Sequence, residues 1–378
     1  MSAKGDTGVA PVKIVFFADL HLEAGFVWAG PEVGRKWRSS VREALSSIVH
    51  LAQEVGADAL LVGGDLYEHD RVTPDTAEFL RASFAELEPM RVFVAPGNHD
   101  WFGPESVYRR VDWSQNVHVF TEARLEPVEL EDGLYLWGAA HRAPANTPGF
   151  LDRFRVDRDG VNIALFHGSE QAAFRYEAEG KKPHAPFEES QIAEAGLVHA
   201  FVGHYHTPRD TEYLTYPGNP EPLGFGETGE RGAVVAEITE DGKVRRERVR
   251  VAGFPLWDLT VDVTGCSNRE EVRRRVRDAL GGKDGVARVT LEGELAPEVD
   301  LRLPQDLIDV APQTMAVVPR WGRVHVAYDL EVLREEAGIR GEFVRAVLAD
   351  ESLPDDVRQK VLITGLRALD GREDLEVG

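Results

Sequence analysis

The sequence has 378 residues and a formal net charge of −22 at neutral pH, and 43% of its residues are hydrophobic. This length exceeds what one hydrophobic core usually holds, so it predicts two domains or one domain with an appendage. The sequence shows no membrane-length apolar run, no secretory signal pattern and a single cysteine, which excludes an internal disulfide and a thiolate metal site. We therefore expect a cytoplasmic protein without a membrane partner, and the acidic balance argues mildly against a nucleic-acid partner.

The first two thirds of the chain alternate short apolar runs with helical patterns, which is typical of an α/β fold. Apolar runs predict strands at 12–17, 59–62, 91–95, 117–120, 134–137, 161–166 and 198–202. A turn at 240–242 predicts a hairpin between strands 233–238 and 244–251. Helices are predicted over 39–55, 73–87 and 188–195, the second with Thr73 as its N-cap, and 22–37 is predicted to be a loop.

Phe254 and Pro255 mark a predicted domain boundary. Beyond it, predicted strands at 257–263, 286–291 and 324–328 and a helix over 268–280 indicate a small α/β cap. From Leu330 the composition becomes helical, and Pro354 separates two predicted helices. We therefore expect a main domain over 11–252, an α/β capping domain over 253–329 and a helical segment over 330–378.

Side chains of metal-ligand type follow five of the predicted strands. They are Asp19 and His21, Asp65, Asn98 and His99, His167, and His204 and His206. Because residues i and i+2 of an extended segment point the same way, each of the two Xaa-x-His pairs can converge on one place. Carboxylate, amide and imidazole ligands suit Mn, Fe or Zn, and a lone carboxylate such as Asp65 suits a bridge between two ions about 3.5–4 Å apart.

Such a pair of dications activates water for attack on phosphorus and neutralises charge on the phosphoryl oxygens. Taken singly, each of these residues has a plainer interpretation as a hydrogen-bonded structural group or a turn residue. The other seven histidines are interpreted as structural or solvated, and only His141 lies just beyond a predicted strand.

The order of these motifs resembles that of the calcineurin-like metallophosphoesterases. The matching stretches lie within about 12–250 and are Asp19-x-His21, Gly64-Asp65, Gly97-Asn98-His99-Asp100, His167 and Gly203-His204-x-His206. Within that superfamily the chain is most similar to SbcD-type DNA repair nucleases, including their shorter YhaO-like relatives. The supporting stretches are Gly64-Asp65-Leu66-Tyr67, Tyr216-Pro217-Gly218-Asn219 and Gly224-Phe225-Gly226-Glu227.

This resemblance implies a metallophosphoesterase β-sandwich flanked by helices and two divalent ions, with Mn as the working ion. It assigns Asp19, His21, Asp65 and His206 to one ion, and Asp65, Asn98, His167 and His204 to the other. It places His99 beside the ions, where it protonates the leaving oxygen or steadies the phosphate. It also implies a homodimer and an SMC-type ATPase partner like SbcC. Glu68 stands where some of these nucleases have a histidine, so no exonuclease role of that histidine carries over.

Two groups of arginines are candidates for binding DNA phosphates. Arg246, Arg248 and Arg250 alternate along one predicted strand, and Arg273 and Arg277 lie one turn apart on the predicted cap helix. Charged strands and helices are more often solvated faces. The final helices fit either an ATPase-docking element or a buttress on the cap.

The favoured function is a Mn-dependent DNA exonuclease, with endonuclease action as an option, that hydrolyses phosphodiester bonds in DNA repair. One alternative is a small-molecule or cyclic-nucleotide phosphodiesterase with the same dinuclear site, which the acidic charge fits better. The other is a non-catalytic scaffold, against which the complete set of ligand-type residues argues.

Overall fold

A computed structural model describes residues 11–26, 30–171, 183–227, 230–251, 253, 255–296, 299, 301–307, 309–310 and 315–371. The chain divides into two compact units, and the division falls between residues 254 and 255 of the sequence. Among the described residues, no helix combines the length and the apolar character that a membrane span requires.

The first unit alternates strands and helices along the chain. Its strands are β1 (Val12–Phe17), β2 (Ala59–Val62), β3 (Arg91–Val94), β4 (Val117–Val119), β5 (Glu126–Glu131), β6 (Leu134–Gly138), β7 (Val161–His167), β8 (His199–Gly203), β9 (Arg209–Asp210), β10 (Leu214–Tyr216), β11 (Ala233–Ile238) and β12 (Val244–Val249). Its described helices are α1 (Gly30–Glu54), α2 (Pro74–Ala85), α3 (Val107–Arg110) and α4 (Ser190–Glu194).

These strands form two six-stranded sheets that share one core. The first sheet has the order β12-β11-β1-β2-β3-β4 and the second β5-β6-β7-β8-β10-β9. Strands β1 to β4 pair in parallel, as do β6, β7 and β8. Side chains of both sheets, such as Phe16 and Phe201 with ring centroids 5.2 Å apart, are buried between them. This sandwich of mixed α/β composition confirms the predicted fold class.

Several predicted elements of the first unit are confirmed and one is wrong. Thr73 caps α2, since its side chain accepts a hydrogen bond of 3.2 Å from the Thr76 amide, and β11 pairs with β12 as the predicted hairpin. The predicted loop over 22–37 is wrong from residue 30 onward, because α1 begins there. Trp37 stabilises this added part of the helix: its side chain is buried and its Nε1 donates to the Pro222 carbonyl at 2.7 Å.

Among its described residues, the second unit has a three-stranded parallel sheet and four helices. Its elements are β13 (Leu256–Asp262), α5 (Arg269–Leu280), β14 (Gly285–Leu295), β15 (Met315–Val326), α6 (Leu330–Glu335), α7 (Ile339–Ala349) and α8 (Asp355–Leu369). Strand β15 starts nine residues before the predicted strand at 324, and three helices follow it where two were predicted. Helices α6 to α8 have their own apolar cluster, which includes Leu333, Val344 and Leu366.

A buried histidine on β8 makes the stability of the first unit depend on pH. His199 is fully buried, and its Nε2 lies 2.9 Å from Thr215 Oγ1. Burial, and then the charge of Arg246, lower the pKa of His199 to about 3. The unfolded chain therefore binds a proton below about pH 6.5 that the folded protein does not bind, and stability falls as the pH falls.

We expect the free energy of unfolding to drop by about 2 kcal/mol between pH 7 and pH 5 through this histidine alone. Urea unfolding in EDTA at both pH values measures the drop. The His199→Gln variant is expected to lose this part of the pH dependence. The same pH dependence in the variant and the parent protein would show that His199 does not cause it.

Candidate metal centre

The ligand-type side chains lie at the carboxyl ends of parallel strands. Asp19 and His21 follow β1, Asp65 follows β2, and Asn98 and His99 follow β3 in the first sheet. His167 ends β7, and His204 and His206 follow β8 in the second sheet. The two groups meet across the sandwich, because His167 Nδ1 lies 2.8 Å from the Gly63 carbonyl oxygen of the first sheet. The structure brings seven of the eight residues that the sequence singled out into shared ligand groups, and the eighth, Asn98, directly precedes His99 in the loop after β3.

The backbone reaches this arrangement in a way that the sequence analysis did not predict. Asp19, His21 and Asp65 have positive φ angles of 55°, 50° and 50°, and His204 has 111°. The extended backbone assumed for these pairs is therefore wrong. Asp19 and His21 still converge on one ligand group as predicted, whereas His204 and His206 belong to two different groups. The loops are instead held by amide hydrogen bonds, from Asp19 to the Gly64 carbonyl at 3.0 Å and from His21 to the Asp65 carbonyl at 2.9 Å. Left-handed non-glycine residues of this kind cluster at functional sites.

The potential ligand atoms form compact groups around one carboxylate. In each of three groups, the atoms lie within 4.8 Å of one another: Asp19, His21 and His206; Asp65, His167 and His204; and His21, Glu68 and His99. Asp65 Oδ2 lies 3.2 Å from His167 Nε2 and 3.7 Å from His21 Nε2. Asp65 is thus within reach of both the first and the second group.

The chemistry of these side chains fits divalent cations. In three of the four histidines of the ligand set, Nδ1 faces an oxygen acceptor. His21 Nδ1 lies 2.7 Å from Glu68 Oε1, and His167 Nδ1 lies 2.8 Å from the Gly63 carbonyl oxygen. His206 Nδ1 lies 2.5 Å from Glu227 Oε1. This outer contact is typical of metal-binding histidines, since it fixes the ring and leaves Nε2 for the ion. Within the described part of the chain, three buried atoms of the cluster have no hydrogen-bond partner, namely His21 Nε2, His167 Nε2 and Asn98 Oδ1.

Two carboxylates of the centre, Asp65 and Glu68, are held in their ionised form, whereas burial raises the pKa of Asp19. Burial alone would raise the pKa of Asp65, but the charge of His167, whose Nε2 lies 3.2 Å away, followed by the charge of His21, lowers it well below its usual value. Burial would likewise raise the pKa of Glu68, and hydrogen bonds from His21 and His99 lower it to about 2. The centre therefore offers anionic oxygens beside imidazoles, as a dication requires.

His99 differs from the other histidines of the centre because its side chain is 45% exposed. Its backbone amide donates to Asp65 Oδ1 at 2.7 Å, and its Nδ1 lies 2.9 Å from Glu68 Oε2. The ring lies edge-on to that of His21, with centroids 4.7 Å apart. The hydrogen bond with Glu68 raises the pKa of His99 to about 9. A protonated imidazole thus lies at the open side of the centre.

Asp100 organises the loops, a role that the sequence analysis did not assign to it. This fully buried carboxylate accepts hydrogen bonds from the amides of Gly97 at 2.6 Å, Asp65 at 3.1 Å and Leu66 at 2.7 Å. It also accepts one from the Tyr108 hydroxyl at 2.6 Å. Asp100 therefore joins the loop after β2 to the loop after β3. A side chain at Gly97 would collide with Asp65 Oδ1, so this approach also requires glycine.

Glu227 contacts the proposed ligand His206. It lies in the Gly224–Glu227 stretch, which was singled out only for its similarity to SbcD-type nucleases and was given no role in the site. Its Oε1 faces His206 Nδ1, and its Oε2 accepts from Asn219 Nδ2 and from the Leu223 amide, both at 2.6 Å. Burial would raise the pKa of Glu227, but the hydrogen bond with His206 lowers it to about 2. Glu227 thus fixes the ring orientation of His206.

We expect Glu227→Gln to weaken Mn binding by about 10- to 100-fold, which is the usual cost of losing such an outer contact. Titration calorimetry with Mn measures this change. Glu240→Gln is the matched control, because Glu240 is exposed in the β11–β12 turn. Equal Mn affinity in the two variants would contradict the role of Glu227.

Two further histidines border the centre. His141 is buried between Thr147 Oγ1, 2.9 Å from its Nδ1, and the His167 carbonyl, 2.8 Å from its Nε2. Its interpretation as a structural group fits these contacts. The His184 ring lies 5.4 Å from that of His204, although the sequence analysis gave it no place near the centre. No local pattern marks His184, because it lies in a loop rather than at the end of an apolar strand.

The arginines suggested for DNA binding are engaged in contacts within their own units. Arg248 lies 3.0 Å from Asp210, Arg273 lies 2.8 Å from Asp309, and Arg277 lies 3.4 Å from Glu270. Arg246 directs its guanidinium to Thr215 Oγ1 at 3.0 Å, and Arg250 follows the end of β12. Arg273 and Arg277 belong to the second unit.

Comparison with known proteins identifies relatives of this site. The family model described as calcineurin-like phosphoesterase matches residues 12–208. The uncharacterized metallophosphoesterase YhaO of Bacillus subtilis is 27% identical, over 79% of this chain and 76% of its own length. The DNA double-strand break repair protein Mre11 of Methanopyrus kandleri is 26% identical, over 96% of this chain and 83% of its own. A dimetal phosphatase structure from Danio rerio aligns with a TM-score of 0.39 at 11% identity, over 65% of this chain and all of that one.

Proposed function

Because this chain belongs to the calcineurin-like phosphoesterase family, we propose that it is a Mn-dependent DNA nuclease that hydrolyses phosphodiester bonds. We propose exonuclease action first and endonuclease action as a second mode, both in DNA repair. The observation that carries the proposal is the pair of ligand groups around Asp65 with His99 on their open side. The similarity to an Mre11 repair protein over nearly the whole chain supports DNA as the substrate.

The ligand set divides into two ion sites that share Asp65. We propose that Asp19, His21, Asp65 and His206 hold one ion, and that Asp65, Asn98, His167 and His204 hold the other. The short contacts of Asp65 with His167 and His21 support its bridging position. Bound dications would lower the pKa of a water molecule and offset negative charge on the phosphoryl oxygens.

His99 is proposed to donate a proton to the leaving oxygen of the substrate. Its partial exposure lets its ring reach a bound phosphodiester, and its raised pKa keeps it protonated at neutral pH. Glu68 acts as a positioning residue, because its two oxygens contact the Nδ1 atoms of His21 and His99. The orientation of the proton donor is thereby tied to that of a proposed metal ligand.

The net charge of −22 supports the alternative substrate, a small-molecule or cyclic-nucleotide phosphodiester. One experiment separates the two functions. Labelled linear duplex, single-stranded and closed circular DNA are incubated with Mn, with Mg and with EDTA. Mn-dependent cleavage supports the nuclease, and cleavage of the circle reveals endonuclease action. If a small phosphodiester is hydrolysed while all three DNAs stay intact, the nuclease proposal is wrong.

DNA contacts are proposed for Arg246, Arg248, Arg250, Arg273 and Arg277. On the cap helix, Arg277 is the more available of the two arginines, since its side chain is 48% exposed against 18% for Arg273. We expect the double variant Arg273→Glu, Arg277→Glu to weaken DNA binding at low salt by about 10-fold or more. The charge-matched control is Arg334→Glu, Lys360→Glu, which reverses two exposed cations of α6 and α8. Equal DNA affinity of the two double variants, measured by fluorescence anisotropy, would exclude the cap arginines.

The C-terminal helices are proposed to dock an SMC-type ATPase of the SbcC kind, with the nuclease as a homodimer. The large apolar side chains exposed in the described part of the chain all lie on α6, α7 and α8: Val332, Ile339, Leu348, Val357 and Leu369. We propose that these side chains contribute to the docking surface. Co-expression of the ATPase with the Val332→Asp, Ile339→Asp variant tests the docking, and an unchanged yield of complex would contradict it.

A further inference from the structure

Trp101 and Phe102 directly follow the Gly97–Asp100 loop, and their rings lie against three further side chains, His69, Arg109 and Arg142. We call this group the aromatic shelf and define it as His69, Trp101, Phe102, Arg109 and Arg142. Trp101 and Phe102 are only partly buried, whereas most large aromatic side chains of the first unit lie in its core. The nuclease chemistry proposed above uses none of these five side chains.

The shelf is attached to the loop that carries the proposed proton donor. The rings of Trp101 and His69 stack with centroids 3.9 Å apart and an angle of 24° between their planes. The His69 amide donates to the His99 carbonyl at 3.1 Å. Because Trp101 is two residues from His99 and the His69 backbone is bonded to the His99 carbonyl, the stacked pair adjoins the loop that carries His99.

Phe102 provides a second ring with two arginines beside it. Its amide donates to the His141 carbonyl at 2.8 Å, which fixes the backbone next to the centre. The guanidinium carbons of Arg109 and Arg142 lie 5.7 and 5.5 Å from the ring centroid. Arg142 is held by the Thr121 carbonyl at 2.8 Å and approaches Glu122 at 3.6 Å.

Arg109 differs from a comparable arginine elsewhere in the unit. Arg42 lies over Phe79 at 5.1 Å, but Glu23 and Asp75 pair with it at 3.2 and 2.7 Å. Within the described residues, Arg109 forms no ion pair, and it is exposed. In a chain of net charge −22, a cation without a carboxylate partner beside a partly exposed ring suits an anionic, aromatic ligand.

We propose that the aromatic shelf stacks one unpaired base of a single-stranded DNA segment beside the bond to be cleaved, while Arg109 binds a neighbouring backbone phosphate. This inference rests on the proposed nuclease function and specifies its substrate as a strand whose end is unpaired. Aromatic side chains and arginine planes are the common stacking partners of single-stranded bases and bind them with little sequence preference. The shelf would therefore favour frayed or single-stranded ends over blunt duplex ends.

The test compares single-stranded oligonucleotides that carry one abasic position at successive sites. Anisotropy in EDTA gives affinities, and initial rates with Mn give cleavage. We expect the wild-type protein to bind about 10- to 100-fold more weakly when the abasic position coincides with the shelf. Trp101→Ala is expected to show the same loss on the intact strand and no further loss on the abasic strand, while Trp101→Phe keeps most of the affinity.

Phe102→Leu and Phe79→Leu form the matched control pair, since each removes a ring beside an arginine. Only the first is expected to weaken binding of the intact strand. The shelf proposal fails, while the nuclease proposal stands, if DNA is cleaved but affinity is the same at every abasic position. It also fails if the abasic position and Trp101→Ala weaken binding additively. If DNA is neither bound nor cleaved, both proposals fail.

Discussion

Replacing Asp65 with asparagine is expected to lower phosphodiester hydrolysis by more than about 10³-fold, with a loss of both metal ions. Asp65 is buried and lies within 3.7 Å of histidines in both ligand groups. Asparagine offers one neutral oxygen where aspartate offers two that share a negative charge. Since one carboxylate is proposed to bind both ions, its loss weakens two sites at once.

Metal content after dialysis, measured by mass spectrometry, and hydrolysis rates with added Mn test this expectation. Asp132→Asn is the control, because Asp132 is exposed in the turn between β5 and β6. Circular dichroism tests whether the variant folds. We expect it to fold, because the asparagine side-chain oxygen can still accept the hydrogen bond that the His99 amide donates to Asp65 Oδ1. A folded Asp65→Asn protein that retains two ions per chain would overturn the bridging assignment.

The position of the centre was predictable because it follows from the strand pattern. Short apolar runs marked β1, β2, β3, β7 and β8, and the ligand-type residues stand directly after them. The carboxyl ends of parallel neighbours meet at one edge of each sheet, so recognising the strands grouped the residues within each of the two sheets. The two-sheet sandwich that the resemblance implied then places the two groups side by side. No prediction of loop conformation was needed for that step.

The support of the centre was not predictable, because it depends on contacts between distant parts of the chain. Asp100 accepts from the amides of Asp65 and Leu66, 35 and 34 positions earlier. Trp37 lies in α1 and donates to a carbonyl 185 positions away, at Pro222. Glycine and proline near the start of α1 obscured the helical pattern that this tertiary contact stabilises. Tertiary contacts thus override local propensity where the site is built.

His99→Ala is expected to lower the rate of DNA cleavage by about 10²- to 10⁴-fold, which is the usual contribution of a general acid. Metal content should not change, because the side chain of His99 lies outside the proposed ligand set and contacts Glu68 instead. His50→Ala is the control, since the His50 side chain in α1 is 76% exposed. Gel assays of labelled DNA with Mn measure the rates.

A second substrate separates proton donation from phosphate binding. The alkoxide that leaves DNA needs a proton, whereas p-nitrophenolate leaves bis(p-nitrophenyl) phosphate without one. If His99 donates the proton, His99→Ala should slow hydrolysis of the nitrophenyl diester by no more than about 10-fold. Equal losses on both substrates would mean that His99 steadies the phosphate instead. Its contact with Glu68 would then matter for holding a positive charge near the substrate rather than for delivering a proton.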